Sequence, residues 1–143
     1  MKLCFVTNNK NKLSEVSSIL KNVKIISLED ISFYEDILET GSSLKENSEL
    51  KAKCIYEKFN IDCFADDTGL EIDFLNGEPG VYSARYAGNR SNSKDNIDLV
   101  LKKMKNSKNR NAHFRTIITL YLDSKVYFFD GSVSGTISYK PIG

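Results

Sequence analysis

Two adjacent aspartates, Asp66 and Asp67, are the side chains in this sequence best suited to metal chemistry. Residues 61–66 are predicted to form a short strand that stops at the pair. Because consecutive side chains of a strand point in opposite directions, only one carboxylate can face a given ion directly. Carboxylate oxygens suit Mg²⁺, which usually takes one or two from the protein and the rest from substrate phosphates and water. From spacing alone, a solvated turn explains the pair equally well.

A polar loop near the N-terminus could hold phosphate. It joins a predicted strand to a predicted helix and consists of Thr7, Asn8, Asn9, Lys10, Asn11 and Lys12. The free N–H groups and the dipole at a helix N-terminus favour an anion, and the two lysines add positive charge. The loop lacks the G-x-x-x-x-G-K pattern of a Walker A motif. An ordinary polar turn is the alternative interpretation.

Three further charged residues are candidates for such a site. Lys51 borders the apolar stripe of a predicted helix, where an ammonium group needs either a partner or a route to water. Glu39 stands in a predicted loop and could equally be a surface acid. Arg85 follows the rigid Gly-x-Pro-Gly turn at 77–80, so it could clamp a phosphate or pair with a carboxylate.

Composition limits the class of protein. A chain of 143 residues, 41% hydrophobic and 27% charged, is typical of one soluble domain spanning 1–143. A net charge of +1 indicates no nucleic-acid partner, and the single histidine, His113, argues against a polyhistidine zinc site or a Ser-His-Asp triad. The N-terminal apolar run is too short for a signal peptide or a membrane span, so no membrane association is expected. Three cysteines without a secretion signal are typical of a reducing compartment, which predicts a cytoplasmic protein.

The elements that must position these residues follow from hydrophobic periodicity. Strands alternate with helices early in the chain and pair directly later, which predicts an α/β fold with a mixed central β-sheet flanked by helices. Ser43 and Glu46 resemble a capping box at the start of the second helix, and Asp123-Ser124 resembles a hairpin turn. The predicted strands are 2–7, 23–28, 61–66, 112–122 and 125–131, the predicted helices are 10–21, 43–59 and 93–104, and 29–42 is a predicted loop.

The order and wording of these motifs closely resemble those of the inosine triphosphate pyrophosphatase family. The family's T-x-N-x-x-K-x-x-E element, its loop acid and its E-N-A-x-x-K-A helix have counterparts here, with Ser48 in place of the alanine. Its D-D-S/T-G-L and G-x-P-G-x-x-S-A-R-Y/F-A-G motifs are intact, and its final hairpin pattern is matched. The matching positions are Thr7, Asn9, Lys12, Glu15, Glu39, Glu46–Ala52, Asp66–Leu70, Gly77–Gly88, Asp130–Gly131 and Gly135–Ile137.

The resemblance implies a two-lobed, Maf/Ham-type architecture with a cleft, usually as a homodimer. It implies hydrolysis of ITP, dITP and XTP to the monophosphate and pyrophosphate, with Mg²⁺ as cofactor and with water attacking the α-phosphorus. Glu39 and Asp67 would bind Mg²⁺, Asp67 in preference to Asp66 would accept the proton of that water, and Asp66 would support the metal shell. From the resemblance and from the loop and turn above, the residues expected to bind substrate are Thr7, Asn8, Asn9, Lys10, Asn11, Lys12, Lys51, Thr68 and Arg85.

One departure from the family concerns the C-terminal side. Family members continue for roughly fifty residues past the position of Gly143, a length typical of part of a small domain. That part holds an F-G-Y/W-D-P loop, a lysine and an S-H-R motif, which recognise the base and help hold the triphosphate; neither motif occurs in 1–143. The chain could be artificially shortened, shortened in its gene, or a relative that dispenses with base recognition. The alternative functions are an impaired remnant that binds nucleotide and Mg²⁺, a pyrophosphatase acting on other nucleoside triphosphates, and a structural domain that keeps only the fold.

Overall fold

The computed structural model describes residues 1–88 and 92–141 of the chain. In these ranges, three helices and six strands alternate along the first half and the strands follow one another at the end. The elements are β1 (Lys2–Phe5), α1 (Lys10–Ile19), β2 (Lys24–Ile26), α2 (Leu44–Phe59), β3 (Cys63–Ile72), β4 (Pro79–Gly80), α3 (Ser93–Lys103), β5 (Asn111–Leu122) and β6 (Lys125–Thr136), with short 3₁₀ turns at Glu29–Ile31, Asp73–Leu75 and Ser83–Arg85.

The strands of the described residues form one mixed sheet. Their order is β2-β1-β3-β5-β6, and β4 pairs with β3. β1 runs parallel to both β2 and β3, whereas β4 runs antiparallel to β3. Only Asp123 and Ser124 join β5 to β6, and their φ angles of 51° and 66° are those of a type I′ hairpin turn. The predicted fold class, α/β with a mixed sheet, is confirmed.

The chain divides into two compact units. The first unit consists of Met1–Asp67 and Ile117–Phe129. The second unit consists of Thr68–Thr116 and the described part of Asp130–Gly143. Strands β3, β5 and β6 contribute residues to both units.

The sheet of the first unit is buried on both faces. Cys4 of β1 and Val6, which directly follows this strand, pack in the cluster that contains the apolar face of α2. Leu3 and Phe5 belong to a second cluster, against which the apolar residues of α1 pack. Because side chains alternate along a strand, neighbouring residues of β1 enter different clusters. A strand that is buried on both faces reads as an uninterrupted apolar run, and the sequence of β1 shows such a run.

The second unit has a core of its own, built around α3. This helix begins after Asn92, whose side chain accepts the N–H of Asp95 while Asp95 accepts the N–H of Asn92. These reciprocal bonds form a capping box and satisfy two donors at the helix start. Val100 and Met104 then pack with the fully buried Ile72 of β3.

Strand β3 is longer than the sequence predicts. The predicted strand 61–66 stops at the aspartates, whereas β3 runs Cys63–Ile72 and includes both of them. Aspartate and glycine are unfavourable in strands, but neighbouring strands supply partners: β5 lies beside β3, and β4 pairs with Leu70 and Glu71. β6 likewise continues to Thr136, past the predicted end at 131. The carboxylate pair therefore lies inside a strand and not in a turn at its end, so the solvated-turn alternative is wrong.

Candidate active site

The loop between β1 and α1 is ordered by its own side chains. Asn9 is the N-cap of α1, and its Oδ1 accepts the backbone N–H of Lys12 at 3.1 Å. The hydroxyl of Thr7 accepts the N–H of Asn9, also at 3.1 Å. The predicted phosphate loop is thus a capped helix N-terminus, where the dipole of α1 favours an anion.

Four of the six loop residues line a shallow hollow of about 210 Å³, together with Phe33 and Tyr34. The four are Thr7, Asn8, Asn9 and Lys10. Asn11 is exposed on the first turn of α1 and does not line this hollow. The structure therefore brings the first part of the loop to one surface, whereas Lys12 has a partner elsewhere.

Asp66 is the partner of Lys12. Its Oδ2 accepts a hydrogen bond from the Lys12 Nζ at 2.7 Å, which links β3 to α1. From α2, the Lys51 Nζ donates to the backbone carbonyl of Asp66 and lies 2.9 Å from the Glu39 Oε1. The Lys51 side chain is only 17% exposed, and these two contacts are the partners that a buried ammonium group needs. Of the two expected alternatives, Lys51 therefore shows pairing and not a route to water.

Asp67 lies on the α2 side of β3, in surroundings of mixed charge. Its Oδ2 is buried without a hydrogen-bond partner. Burial raises the pKa of Asp67 to about 6; the neighbouring Lys51 and a hydrogen bond from Asn47 lower it, and the nearby Glu39 and Asp66 raise it. An unpaired buried carboxylate oxygen is costly, which makes this atom a natural ligand for a cation.

The donor set around Asp67 fits Mg²⁺. In 1–88 and 92–141, no three or more histidine, cysteine, aspartate or glutamate side chains are grouped as a ready-made metal cage. Mg²⁺ does not need such a cage, because one or two carboxylates with substrate phosphates and water complete its shell. The hard oxygen atoms that this ion prefers come from two carboxylates. One is Asp67, whose Oδ2 has no hydrogen-bond partner, and the other is Glu39, which is paired with Lys51 beside Asp67.

Thr68 and Arg85 belong to the second unit and have contacts there. The Thr68 Oγ1 lies 2.8 Å from the Thr116 Oγ1, on the exposed part of strands β3 and β5. The Arg85 guanidinium stacks over the ring of Tyr82, 5.1 Å from its centroid. The structure thus groups Lys12, Lys51 and the acidic residues in the first unit, whereas these two predicted ligands lie in the other unit.

Asn47 and Gly41 also belong to this region, although no role was predicted for either from the sequence. Asn47 is 1% exposed, and its Oδ1 accepts the backbone N–H of Gly41 at 2.7 Å. A signal for Asn47 was present, because it lies three residues after Leu44 and four before Lys51 on the buried stripe of α2. A polar side chain at such a position must bond to something inside the protein.

The fold and the site define an α/β protein whose grouped lysines and carboxylates suit a phosphorylated ligand with an associated cation. The chain belongs to the Ham1 family, whose family model matches residues 3–143. This membership confirms the resemblance read from the motifs. In the described part of the chain, no helix combines the length and the apolar character needed to cross a membrane.

Relatives and solved structures of this family match the whole chain. A Flavobacterium johnsoniae protein named dITP/XTP pyrophosphatase is 52% identical over 144 residues, which cover 100% of this chain and 75% of the relative. The Staphylococcus aureus Ham1 protein superimposes with a TM-score of 0.91 at 35% identity, covering 100% of this chain and 75% of that one. A Mycobacterium abscessus structure described as a nucleoside-triphosphatase and dITP/XTP pyrophosphatase superimposes with a TM-score of 0.86 at 33% identity. The match covers 100% of this chain and 78% of that one.

Proposed function

We propose that this protein hydrolyses non-standard purine nucleoside triphosphates, namely ITP, dITP and XTP, to the nucleoside monophosphate and pyrophosphate. Such a reaction would cleanse the nucleotide pool of deaminated purines. The substrate class is supported by relatives that match the whole chain and are named dITP/XTP pyrophosphatases. The reaction type rests on one observation of the structure, the buried and unpaired Oδ2 of Asp67 beside Lys51 and a second acid.

In this proposal, Glu39 and Asp67 hold a Mg²⁺ ion. When bound, Mg²⁺ would neutralise charge on the phosphate oxygens of the substrate. Lys51 lies 2.9 Å from Glu39, so it orients that carboxylate. The assignment of Asp66 to the metal shell stays a prediction, and its 2.7 Å bond to Lys12 supports a role in positioning that lysine as well.

The phosphates would bind at the N-terminus of α1. Thr7 and Asn9 order the loop, and the exposed Asn8, Lys10 and Asn11 lie beside them at the helix start. Lys12 is 39% exposed at its side chain, so it can exchange its carboxylate partner for a phosphate oxygen. Charge neutralisation and positioning supply most of the catalysis in phosphoryl transfer, and lysines and helix N-termini provide both.

Asp67 would accept the proton of the attacking water. Without a bound cation, burial raises the pKa of Asp67 to about 6, so the carboxylate is ionised near neutral pH. A carboxylate beside Mg²⁺ can orient water and accept its proton without a strongly raised pKa. As water forms a bond to the α-phosphorus, the bond from this phosphorus to the bridging oxygen breaks and pyrophosphate leaves. Thr68, which follows Asp67 in β3, and Arg85 remain predicted substrate contacts.

Pyrophosphate release tests the function directly. The protein is incubated with Mg²⁺ and ITP, dITP, XTP, GTP, dTTP or UTP, and pyrophosphate is measured with a coupled assay. Release from the first three in preference to the others is the expected result. Release chiefly from dTTP or UTP would mean a pyrophosphatase for other substrates. Binding of ITP without release would mean an impaired remnant, and absence of binding would leave only a structural role.

We further propose a cytoplasmic homodimer. The three cysteines are free thiols, which is typical of a reducing compartment. In the sheet order given above, β6 lies at an edge, and its consecutive residues Val126, Tyr127, Phe128 and Phe129 are 39–53% exposed. A second copy covering this edge would remove apolar surface from water. Sedimentation equilibrium and cell fractionation are the corresponding tests, and a monomer at micromolar concentration would contradict the dimer.

A further inference from the structure

Asn47 is a buried amide beside the proposed metal ligands. It lies in the first turn of α2 and is 1% exposed, among the most completely buried side chains of the described residues. A carboxamide in this setting is costly unless its oxygen and nitrogen both find partners. The contacts of its two ends therefore show what the residue does.

The oxygen of Asn47 holds the loop that carries Glu39. The Oδ1 accepts the Gly41 N–H at 2.7 Å, and Glu39 stands two residues before this glycine. The loop approaches α2 so closely that a Cβ at Gly41 would lie 2.6 Å from the Glu46 Cβ and 2.7 Å from the Asn47 Oδ1. Only glycine leaves room for this approach, so the loop and the helix start are tightly fitted.

The nitrogen of Asn47 is the end of the amide that is left to act on Asp67. Because the Oδ1 is used by Gly41, the Nδ2 is the group left to donate, and Asn47 acts on the Asp67 carboxylate as a hydrogen-bond donor. The Asp67 Oδ2 has no partner, so the amide can act only on the other oxygen. This arrangement restrains the carboxylate while it leaves one oxygen open.

We propose that Asn47 is a positioning residue that fixes the Glu39 loop and Asp67 relative to each other, so that both carboxylates are prearranged for one divalent cation. The proposal rests on the proposed function for the identity of that cation, Mg²⁺. Asn47 need not touch substrate or ion, because its contribution is to restrain the two groups that do. Residues of this kind typically contribute a factor of ten to a hundred in metal affinity or activity.

The test compares Asn47→Ala with Ser48→Ala. Ser48 is the next residue of α2, is fully buried and bonds to Thr119 at 2.8 Å, so its loss perturbs the same helix without touching the site. NMR titration of the ¹⁵N-labelled, nucleotide-free proteins with Mg²⁺ gives affinity, and hydrogen exchange reports on the Gly41 amide. Asn47→Ala should bind Mg²⁺ at least about tenfold more weakly and exchange the Gly41 amide faster. Ser48→Ala should stay within about twofold of wild type in both measurements.

A second pair of variants separates the two ends of the amide. Asn47→Asp keeps an oxygen for Gly41 but loses the donor to Asp67, so the Gly41 amide should stay protected while turnover falls by about tenfold or more. Gly41→Ala breaks the contact from the loop side and should weaken Mg²⁺ binding as Asn47→Ala does. Equal Mg²⁺ affinity in Asn47→Ala, Gly41→Ala and Ser48→Ala would overturn the proposal.

The outcome is distinguishable from that of the proposed function. A wild-type protein that binds Mg²⁺ but releases pyrophosphate from no triphosphate would refute the function, and the affinity of Asn47→Ala would still decide the role of Asn47. A wild-type protein that binds no Mg²⁺ without nucleotide, yet releases pyrophosphate from ITP in Mg²⁺, would overturn the prearranged site and leave the proposed function standing.

Discussion

Replacing Asp67 with asparagine should stabilise the protein at neutral pH in the absence of metal, although it removes a site residue. Burial raises the pKa of Asp67 from its ordinary value of 3.8 to about 6. Between these values the folded state binds more protons than the unfolded state, so stability falls as pH rises. The full loss amounts to about 3 kcal/mol, of which about 1.4 kcal/mol falls between pH 5 and pH 8. Asparagine does not ionise and escapes this loss.

The measurement is the free energy of unfolding in urea, with EDTA present, at about pH 5 and about pH 8. Circular dichroism is the appropriate signal, because the chain has no tryptophan. The advantage of Asp67→Asn over wild type should grow by about 1.4 kcal/mol from the lower to the higher pH.

Asp30→Asn is the matched control for this titration. The Ser27 backbone N–H donates to the Asp30 carboxylate and lowers its pKa. The contribution of Asp30 to the free energy of unfolding therefore changes with pH only under more acidic conditions than these two. The difference between Asp30→Asn and wild type should therefore be constant between the two conditions. If Asp67→Asn behaves in the same flat way, the carboxylate is not destabilised by burial and the basis for its role as metal ligand and proton acceptor is lost.

Three further predictions concern the same region. Asp67→Asn should lower the turnover for ITP at least about 10²-fold in Mg²⁺, and wild-type-like pyrophosphate release would refute the assignment. Lys51→Met should raise the pKa of Asp67 further, because Lys51 lowers it in the wild type; NMR titration of the carboxyl carbon measures this. Burial raises the pKa of Cys4 to about 11 and of Cys63 to about 12. An aromatic disulfide reagent should therefore modify Cys54 first, and mass spectrometry showing early labelling of the other two would contradict this.

Features that depend on a few neighbouring residues could be predicted from the sequence. Ser43 caps α2 by accepting the N–H of Glu46 at 3.1 Å, and Asp123-Ser124 forms the hairpin turn. The observed cap differs from the predicted capping box in one respect. The Glu46 carboxylate accepts the backbone N–H of Ser42, whereas a capping box would use that of Ser43. Such caps and turns are decided by bonds within about four residues, so local pattern is sufficient.

The order of the elements, the family and the residue types available for chemistry could all be read from the amino-acid sequence. Tertiary structure decided where β3 ends, because backbone partners from β4 and β5 carry the strand through residues that do not favour it. It also decided the partners of the charged groups, since Lys12 and Asp66 are 54 positions apart and meet only because α1 packs on the sheet. The unpaired oxygen of Asp67 and the buried amide of Asn47 are likewise features of the folded chain that the sequence does not show. Burial and pairing belong to the packed chain, and residue type and spacing do not specify them.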